Sequence, residues 1–572
     1  MCELIDELKK LKKSSSESID NEKSFTSFKS YMHIERPLQM DLEQIIVNVE
    51  SNPKALILVC GNVGDGKSHL ISYLKNEKKL LDDFAIHNDA TESYSRNQTE
   101  RQALAEALRA FNDDNIDNDS KSKVIVAINL GVLSNFIYSE EGKKFSRLRQ
   151  YVESNRILVD EDYNSFDEEQ SVFFHVNFGD YHLYQLNNGT VESQYISEIF
   201  NKVFGADENN PFYQKYLKCK SCANCDNCPV KTNYETMQNT ITQRGLINIL
   251  IEAIIKDKLI ISTRELFNFI YDIIVHPAID TTTYKGNYKV EYLLPNLLYD
   301  HAELSELLYH VSKYDLLKLR LEKLDEIITN YVNINNPITV FNDYIQPNPC
   351  LEAVKRNYNS RNVRWQKDPY LTLFVRLLRI LPLSPEIKTV NEEYSDFVKY
   401  LYASKKGIYR QIKTLSKMVE DCVYKWTGSK DKKRFIINEV GDFYSISTKL
   451  NLRIRRTINC EKVETVYDKF FEKITLCFLV GSENNKTELN LSIDYELFEM
   501  LVKIHNGYIV SAKEKSYYAT FFSFVEKLIK YSKYKTELYI NKIDGEKKSY
   551  RLFDSYDEYE DEESRYEFEE VI

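Results

Sequence analysis

A parallel α/β fold is predicted for the first part of this chain, on three observations. Short runs of apolar, β-branched residues alternate with stretches of helical periodicity. The first run, Ala55 to Val59, lacks polar alternation and so reads as a strand buried on both faces. A glycine-rich loop, Gly61-Asn62-Val63-Gly64-Asp65-Gly66-Lys67-Ser68, leaves that strand and opens a helix.

The elements follow in order. Residues 1–35 read as a polar leader with an amphipathic start and a Ser14-Ser15-Ser16 linker. Leu42, Ile45, Ile46 and Val49 recur at helical spacing and deliver the chain to Pro53. After the loop, a helix runs from Ser68 through Leu74, and Phe84 to His87 forms a second strand. A helix from Arg101 to Phe111, a third strand Val124 to Ile128, a helical stretch to Val152 and a fourth strand Val172 to Phe178 complete the pattern. From 236 the periodicity turns helical, through Ile247 to Ile255, Arg264 to Ile274 and Leu-rich stretches beyond. After 433, β-rich segments such as Phe435-Ile436-Ile437 mix with helices. The expected division is a leader (1–35), a nucleotide-binding domain (36–205), a cysteine-rich insert (206–235), a helical lid (236–340), a helical domain (341–430) and an α+β region with an acidic tail (431–572).

Composition bounds the function. The 572 residues are 43% hydrophobic, enough for several cores at about 150 residues per domain. No apolar run reaches the roughly 18–20 residues of a spanning helix, and the start lacks a basic then apolar signal pattern. A soluble, cytoplasmic chain with no membrane contact is expected. A net charge of −11 argues against coating nucleic acid with the whole surface, while leaving room for a local basic patch or a basic partner.

The glycine loop has the chemistry of a triphosphate site, the G-x-x-x-x-G-K-[ST] phosphate loop of P-loop NTPases. Gly61, Gly64 and Gly66 let backbone N–H groups turn inward toward phosphate oxygens, together with those of Asn62, Val63, Asp65 and the following His69. Lys67 neutralises the β- and γ-phosphates, the Ser68 hydroxyl ligates Mg²⁺, and the helix N-terminus adds its dipole. ATP with Mg²⁺ is the expected ligand. A chance glycine turn is the bland alternative, which the strand before and the helix after disfavour.

Hydrolysis also needs an acid for the metal and a carboxylate for the attacking water. His87-Asn88-Asp89-Ala90-Thr91-Glu92-Ser93 follows the second strand, and strand C-termini in such sheets converge on the ligand crevice. Asp89 is assigned to Mg²⁺ and Glu92 to the water; the same residues could instead cap the following helix. AAA+ ATPases carry their acidic pair at the end of the third strand. Here that strand ends Ile128-Asn129-Leu130-Gly131, where Asn129 resembles the polar sensor of the γ-phosphate. Either the acid has moved to Asp89, or the site works as a slow switch. Arg264, in the first turn of a helix that Ser262 or Thr263 could cap, resembles the AAA+ lid arginine; a solvent-facing arginine is the alternative.

Cys219, Cys222, Cys225 and Cys228 form an unbroken C-x₂-C-x₂-C-x₂-C run closed by Pro229. One Zn²⁺ held by four thiolates is the leading reading, and a 4Fe-4S cluster is its rival, because ferredoxin runs differ by one residue and share the proline. Either would staple an insert too small to build its own core. Asn541-Lys542-Ile543-Asp544 matches the guanine-reading motif of GTPases, but lies far from the loop and reads better as a hairpin turned at Asp544-Gly545.

The loop Gly61 to His69, the segment Ile86 to Ser93, and the cysteine run ending Cys228-Pro229-Val230 together resemble the DptF (DndF) family, firmest over 40–275. These are bacterial DNA phosphorothioation-dependent restriction proteins. The resemblance implies an AAA+-like P-loop ATPase in an antiviral defence complex, acting with DptG and DptH proteins on DNA that lacks the sulfur mark. It places the nucleotide-site roles on Gly66, Lys67, Ser68 and Asp89. A nucleotide-gated switch or scaffold with slow hydrolysis is the second reading, and homo-oligomer formation stays open. No nuclease constellation is visible in the sequence.

Overall fold

The computed structural model describes residues 2–16, 26–87, 99–118, 120–158, 163–164, 171–279, 286, 288–334, 336–359, 367–384, 391–429, 434–438, 444–449, 453–454, 466–467, 472–482, 485–532, 538–542, 549–555 and 565–571. Contacts divide the chain into two units: Met1–Gln185 with Val191–Thr389 and Thr465–Phe470, and Leu186–Thr190 with Val390–Glu464 and Phe471–Ile572. Among the described residues, no helix is long and apolar enough to cross a membrane.

The first unit is α/β. It begins with helices α1 (Glu3–Ser16), α2 (Ser27–Met32) and α3 (Pro37–Asn48), then strand β1 (Lys54–Cys60) and α4 (Lys67–Asn76). Next come β2 (Ala85–His87), α5 (Glu100–Ala107), β3 (Ser122–Ile128), α6 (Leu130–Ile137), α7 (Ser146–Ser154), β4 (Tyr163–Asn164) and β5 (Phe173–Asn177). The four-stranded sheet has the order β2-β3-β1-β5, with every described pairing parallel.

Every residue of β1 is buried, as its unbroken apolar run requires. Alternate side chains serve two cores. Leu56, Leu58 and Cys60 pack with Val124, Val126 and Ile128 against Leu104, Phe136 and Leu148 of α5, α6 and α7. Ala55, Ile57 and Val59 face Leu38, Leu42 and Ile46 of α3 and Leu70, Ile71 and Leu74 of α4. At about 1.5–3 kcal/mol per fully buried large aliphatic side chain, these two layers fix the strand in register. Because the strands are parallel, their C-terminal ends share one edge. Cys60 pairs with Ile128 on one side and with Asn177 on the other, so the chain leaves β1, β3 and β5 side by side.

Helices α8 (Gln194–Phe204), α9 (Pro211–Cys219), α10 (Pro229–Met237), α11 (Thr240–Asp257) and α12 (Thr263–Asp272) follow. Two departures from the sequence reading occur here. Residues 3–16 form a docked helix instead of a leader: Leu4, Ile5, Leu8 and Leu11 are each at most 1% exposed, and α1 packs on α9 and α12. A narrow apolar stripe among lysines and serines looks polar by composition, yet suffices once a tertiary surface receives it. The cysteine region is likewise built into the body: Phe212, Tyr216, Val230, Tyr234 and Met237 are buried, and α9 and α10 pack on α8.

The second unit is α+β. Helices Glu392–Lys405, Tyr409–Trp426, Tyr495–His505 and Ala519–Ser532 accompany a three-stranded sheet centred on Ile474–Ser482 and a five-stranded antiparallel sheet. In the latter, Leu538–Lys542 pairs antiparallel with Ser549–Ser555 and with Tyr444–Thr448. Asn541, opposite Ser549, and Lys542, opposite Tyr444, are therefore ladder residues of this antiparallel sheet, and residues 543–548 lie outside the described residues.

Candidate functional site

The glycine loop spans the turn from β1 into α4. Gly64 and Gly66 stand at φ +88° and +103°, in the left-handed region that glycine alone occupies without strain. Gly66 is the N-cap of α4 and makes no side-chain cap hydrogen bond. The Lys67 ammonium folds back over the loop and donates to the carbonyl oxygens of Gly61 (3.0 Å) and Asn62 (2.7 Å). The Asp65 carboxylate turns inward and accepts from the Asn62 N–H at 2.5 Å. Burial pushes the Asp65 carboxyl above its ordinary range, against the Asn62 N–H, Lys67 and Arg36, which favour its charged form. Val63, at the tip, is 72% exposed.

Residues far away in the chain seat against this loop. A Cβ on Gly64 would meet Ser262 Oγ at 3.1 Å and Arg264 Cβ at 3.4 Å, so the start of α12 rests directly on the turn. Ser262 caps α12 in a reciprocal capping box with Glu265, which fixes where Thr263 and Arg264 emerge. The Thr263 hydroxyl donates to the Asp65 carbonyl oxygen at 3.4 Å and lies 2.7 Å from the Tyr195 hydroxyl of α8. Arg36, just before α3, stacks its guanidinium over Tyr195 (4.7 Å) and Phe178 (5.2 Å). Phe178 in turn crowds Gly61, whose added Cβ would lie 3.0 Å from it.

The neighbouring strand ends contribute amides. Asn129 caps α6, its Oδ1 accepting from Gly131 N at 2.9 Å, one residue past the Ile128–Cys60 pair. Asn177, only 4% exposed at the end of β5, accepts from Gly179 N at 3.1 Å. Asp89 and Glu92 lie outside the described residues; β2, which they follow, is separated from β1 by β3, or about 10 Å at the usual strand spacing.

Ser68 begins the first turn of α4 with Lys67. His69, beside it, is engaged away from the loop: its Nε2 lies 3.0 Å from His33 Nδ1, and His33 Nε2 is 2.9 Å from Gln39 Oε1. Gln39 donates its own amide to Glu43 at 2.8 Å. That chain requires a proton on Nε2 of both imidazoles. Burial, then the neighbouring His33, holds the His69 imidazole down at about 4.

The structure thus brings Gly61 to Ser68, Asn129 and Arg264 to one edge of the sheet and directs the His69 side chain onto His33. Arg36, Tyr195, Thr263 and Asn177 join that edge without having been singled out as site residues. Asn177-Phe178-Gly179-Asp180 carried a legible signal, an Asx turn at the C-terminal end of a parallel strand. Nothing local marks Arg36 or Tyr195.

The cysteine run forms the turn between α9 and α10. Cys219 ends α9, Cys222 N and Cys225 N donate to Cys219 O (3.1 Å) and Cys222 O (3.0 Å), and Cys228 is the N-cap before Pro229. Cys222 is exposed and the other three are half-buried. The Cys225 thiol faces Asp226 Oδ1 at 3.6 Å. Cys2 stands at the start of α1, which packs on α9 and pairs its Glu3 with Lys215 (2.8 Å) and Lys218 (2.7 Å). The donor set, soft thiols on one short turn, suits zinc or an iron–sulfur cluster. Among the described residues, no three His, Cys, Asp or Glu side chains already converge as ligands.

Compared with known protein families, curated proteins and solved structures, the chain finds no match in any of the three.

Proposed function

We propose that this chain binds and hydrolyses ATP at the loop Gly61 to Ser68. One observation carries the reading. A lysine is folded over a left-handed glycine turn between a fully buried parallel strand and a helix N-terminus, with a second helix seated on the turn. Such a turn offers backbone N–H groups, one ammonium and a helix dipole to a polyanion. Lys67 would exchange its two carbonyl partners for β- and γ-phosphate oxygens, and Ser68 would hold Mg²⁺, which supplies charge neutralisation at the phosphates. In the hydrolysis, water attacks the γ-phosphorus in line as the bond to ADP breaks. Asp89 is proposed to hold Mg²⁺ with Ser68, and Glu92 to position the attacking water and take its proton. Asn129 and Arg264 are proposed to touch the γ-phosphate from β3 and α12, and Gly64 beside Arg264 supports the second of these.

The resemblance to the DptF family supports a place in a phosphorothioation-dependent restriction complex. The partners would be DptG- and DptH-like proteins, and the target DNA that lacks the mark. A slow nucleotide-gated switch is the second reading. It is favoured by the end of β3, where Asn129 stands in place of an acid and spends its carbonyl oxygen on capping α6.

Calorimetry with an ATP analogue and Mg²⁺, on the full chain and on Lys67→Ala, tests the central claim. Binding in the micromolar to millimolar range is expected, weakened at least about 100-fold by the substitution, since a charged partner of the phosphates is lost. No heat from the unsubstituted chain at millimolar ligand would sink it.

A further inference from the structure

We propose that the outer face of the helix Tyr409–Trp426 is a docking surface for duplex DNA. Lys406, Arg410, Lys413 and Lys417 grip the phosphate backbone there without reading its sequence. The inference does not rest on the nucleotide reading of the glycine loop, and it gives this chain a DNA contact of its own.

The first support is a local reversal of charge. From Phe397 to Val419 the chain carries Lys399, Lys405, Lys406, Arg410, Lys413 and Lys417 but no Asp or Glu, in a protein of net charge −11. Glu420, half-buried beyond Lys417, is the first acid along the helix.

The second support is the side of the helix on which these charges stand. Leu415, Val419 and Cys422 are buried, and the helix packs on Glu392–Lys405 and Tyr495–His505. At 3.6 residues per turn, Arg410, Lys413 and Lys417 fall within about 60° of one another on the opposite side. All three are exposed, as is Lys406 in the turn before the helix.

The third support is that these cations are not spent inside the protein. Helical lysines elsewhere pair within their own helix: Lys355 with Glu352 at 2.8 Å and Lys503 with Glu499 at 3.5 Å. Lys425, near the end of the same helix, pairs with Asp421 at 2.8 Å. Among the described residues, Lys406, Arg410, Lys413 and Lys417 form no ion pair.

A row of one sign calls for a polyanion, and its surroundings select which. From Arg410 to Lys417 the row rises about 10 Å along the helix axis, at about 1.5 Å per residue. One DNA strand presents about three phosphates over that length, one for each of the three side chains. No exposed aromatic ring interleaves with the row, as base stacking on a single strand requires. No exposed large apolar side chain does either, as insertion into a membrane surface requires. Duplex DNA, bound by its backbone alone, needs neither. The summed negative charge of the chain opposes this contact, so it is weak and depends on low salt.

Fluorescence anisotropy of a labelled DNA duplex of arbitrary sequence, with the full-length chain, tests this. Binding on the order of 10 μM is expected at about 50 mM salt, with log affinity falling against log salt at a slope near −3. The triple variant Arg410→Gln, Lys413→Gln, Lys417→Gln should bind at least about tenfold more weakly and lose most of that slope. A control triple, Arg109→Gln, Lys143→Gln, Lys503→Gln, removes the same charge from exposed sites elsewhere and should stay within about threefold of the unsubstituted chain. Exchanging the cations, Arg410→Lys with Lys413→Arg and Lys417→Arg, should leave binding unchanged, as should far-UV circular dichroism in every variant. Equal weakening by the two neutralised triples would show that net charge, and not this face, governs binding. That result, undiminished binding by the first triple, or no binding by the unsubstituted chain at low salt overturns the proposal. So does tighter binding of polyglutamate or of phosphatidylserine-containing vesicles than of DNA at equal salt.

Discussion

Replacing Gly64 by alanine sets a methyl group 3.1 Å from the Ser262 hydroxyl oxygen, on a backbone at φ +88°. The left-handed conformation alone costs an alanine about 1–2 kcal/mol, and α12 must also retreat. Nucleotide affinity is expected to fall at least about tenfold while far-UV circular dichroism stays unchanged, since about 1.4 kcal/mol is a decade in binding. Equal affinity would show that α12 does not need its seat on the turn. His69 makes a different prediction. Its folded-state value of about 4 lies below the ordinary 6.5, with burial and then His33 as the causes. Between those values the unfolded chain binds the extra proton, so stability is present above pH 6.5 and is lost as pH falls toward 4. The loss amounts to at most about 3 kcal/mol for this group. Urea unfolding at pH 7.5, 6 and 5 should show it, and His69→Gln should flatten the profile.

At the scale of elements, the capping box of α12 joins stability to the site. Ser262 Oγ accepts from Glu265 N while Glu265 returns to the Ser262 N–H at 2.8 Å. Ser262→Ala leaves the Glu265 N–H without its cap at a cost of about 1 kcal/mol and loosens the first turn that carries Thr263 and Arg264. A severalfold loss of ATP-analogue affinity is expected with a small drop in melting temperature. A drop in melting temperature alone would mean that α12 serves the fold and not the ligand. The same helix shows how much the sequence disclosed. Ile260-Ile261-Ser262-Thr263-Arg264-Glu265 announced both start and cap, because Ser followed three residues later by Glu is a local signal. Its neighbour across the loop could not be read this way, since α12 and Gly64 are nearly two hundred residues apart in sequence.

At the scale of the whole molecule, charge decides what DNA can do. With a net charge of −11, the isolated chain should bind unmodified DNA weakly, because the summed field opposes the phosphates. Turnover by the isolated chain is expected to change little with DNA. With basic partner subunits present, stimulation by unmodified DNA should appear and should fall steeply between about 50 and 200 mM salt. Stimulation of the isolated chain that survives high salt would contradict this account. Structurally, the chain is an α/β unit carrying the glycine loop and an α+β unit with two antiparallel sheets.

The sequence by itself determined the parallel strands, the helices between them, the glycine turn and the hairpin around 541. Each is written in contiguous residues, as apolar runs, periodicities and turn residues whose preferences act over a few ångströms. Only tertiary structure decided that α1 is a docked helix, that β3 stands between β1 and β2, and that Arg36 stacks on Tyr195, Tyr195 meets Thr263 and Thr263 reaches the Asp65 carbonyl. The same holds for Glu3 meeting Lys215 and Lys218 across more than two hundred residues. Those outcomes depend on which apolar faces find one another when the chain collapses. Burial is non-directional, so local residue order marks an apolar face without saying which other face will cover it.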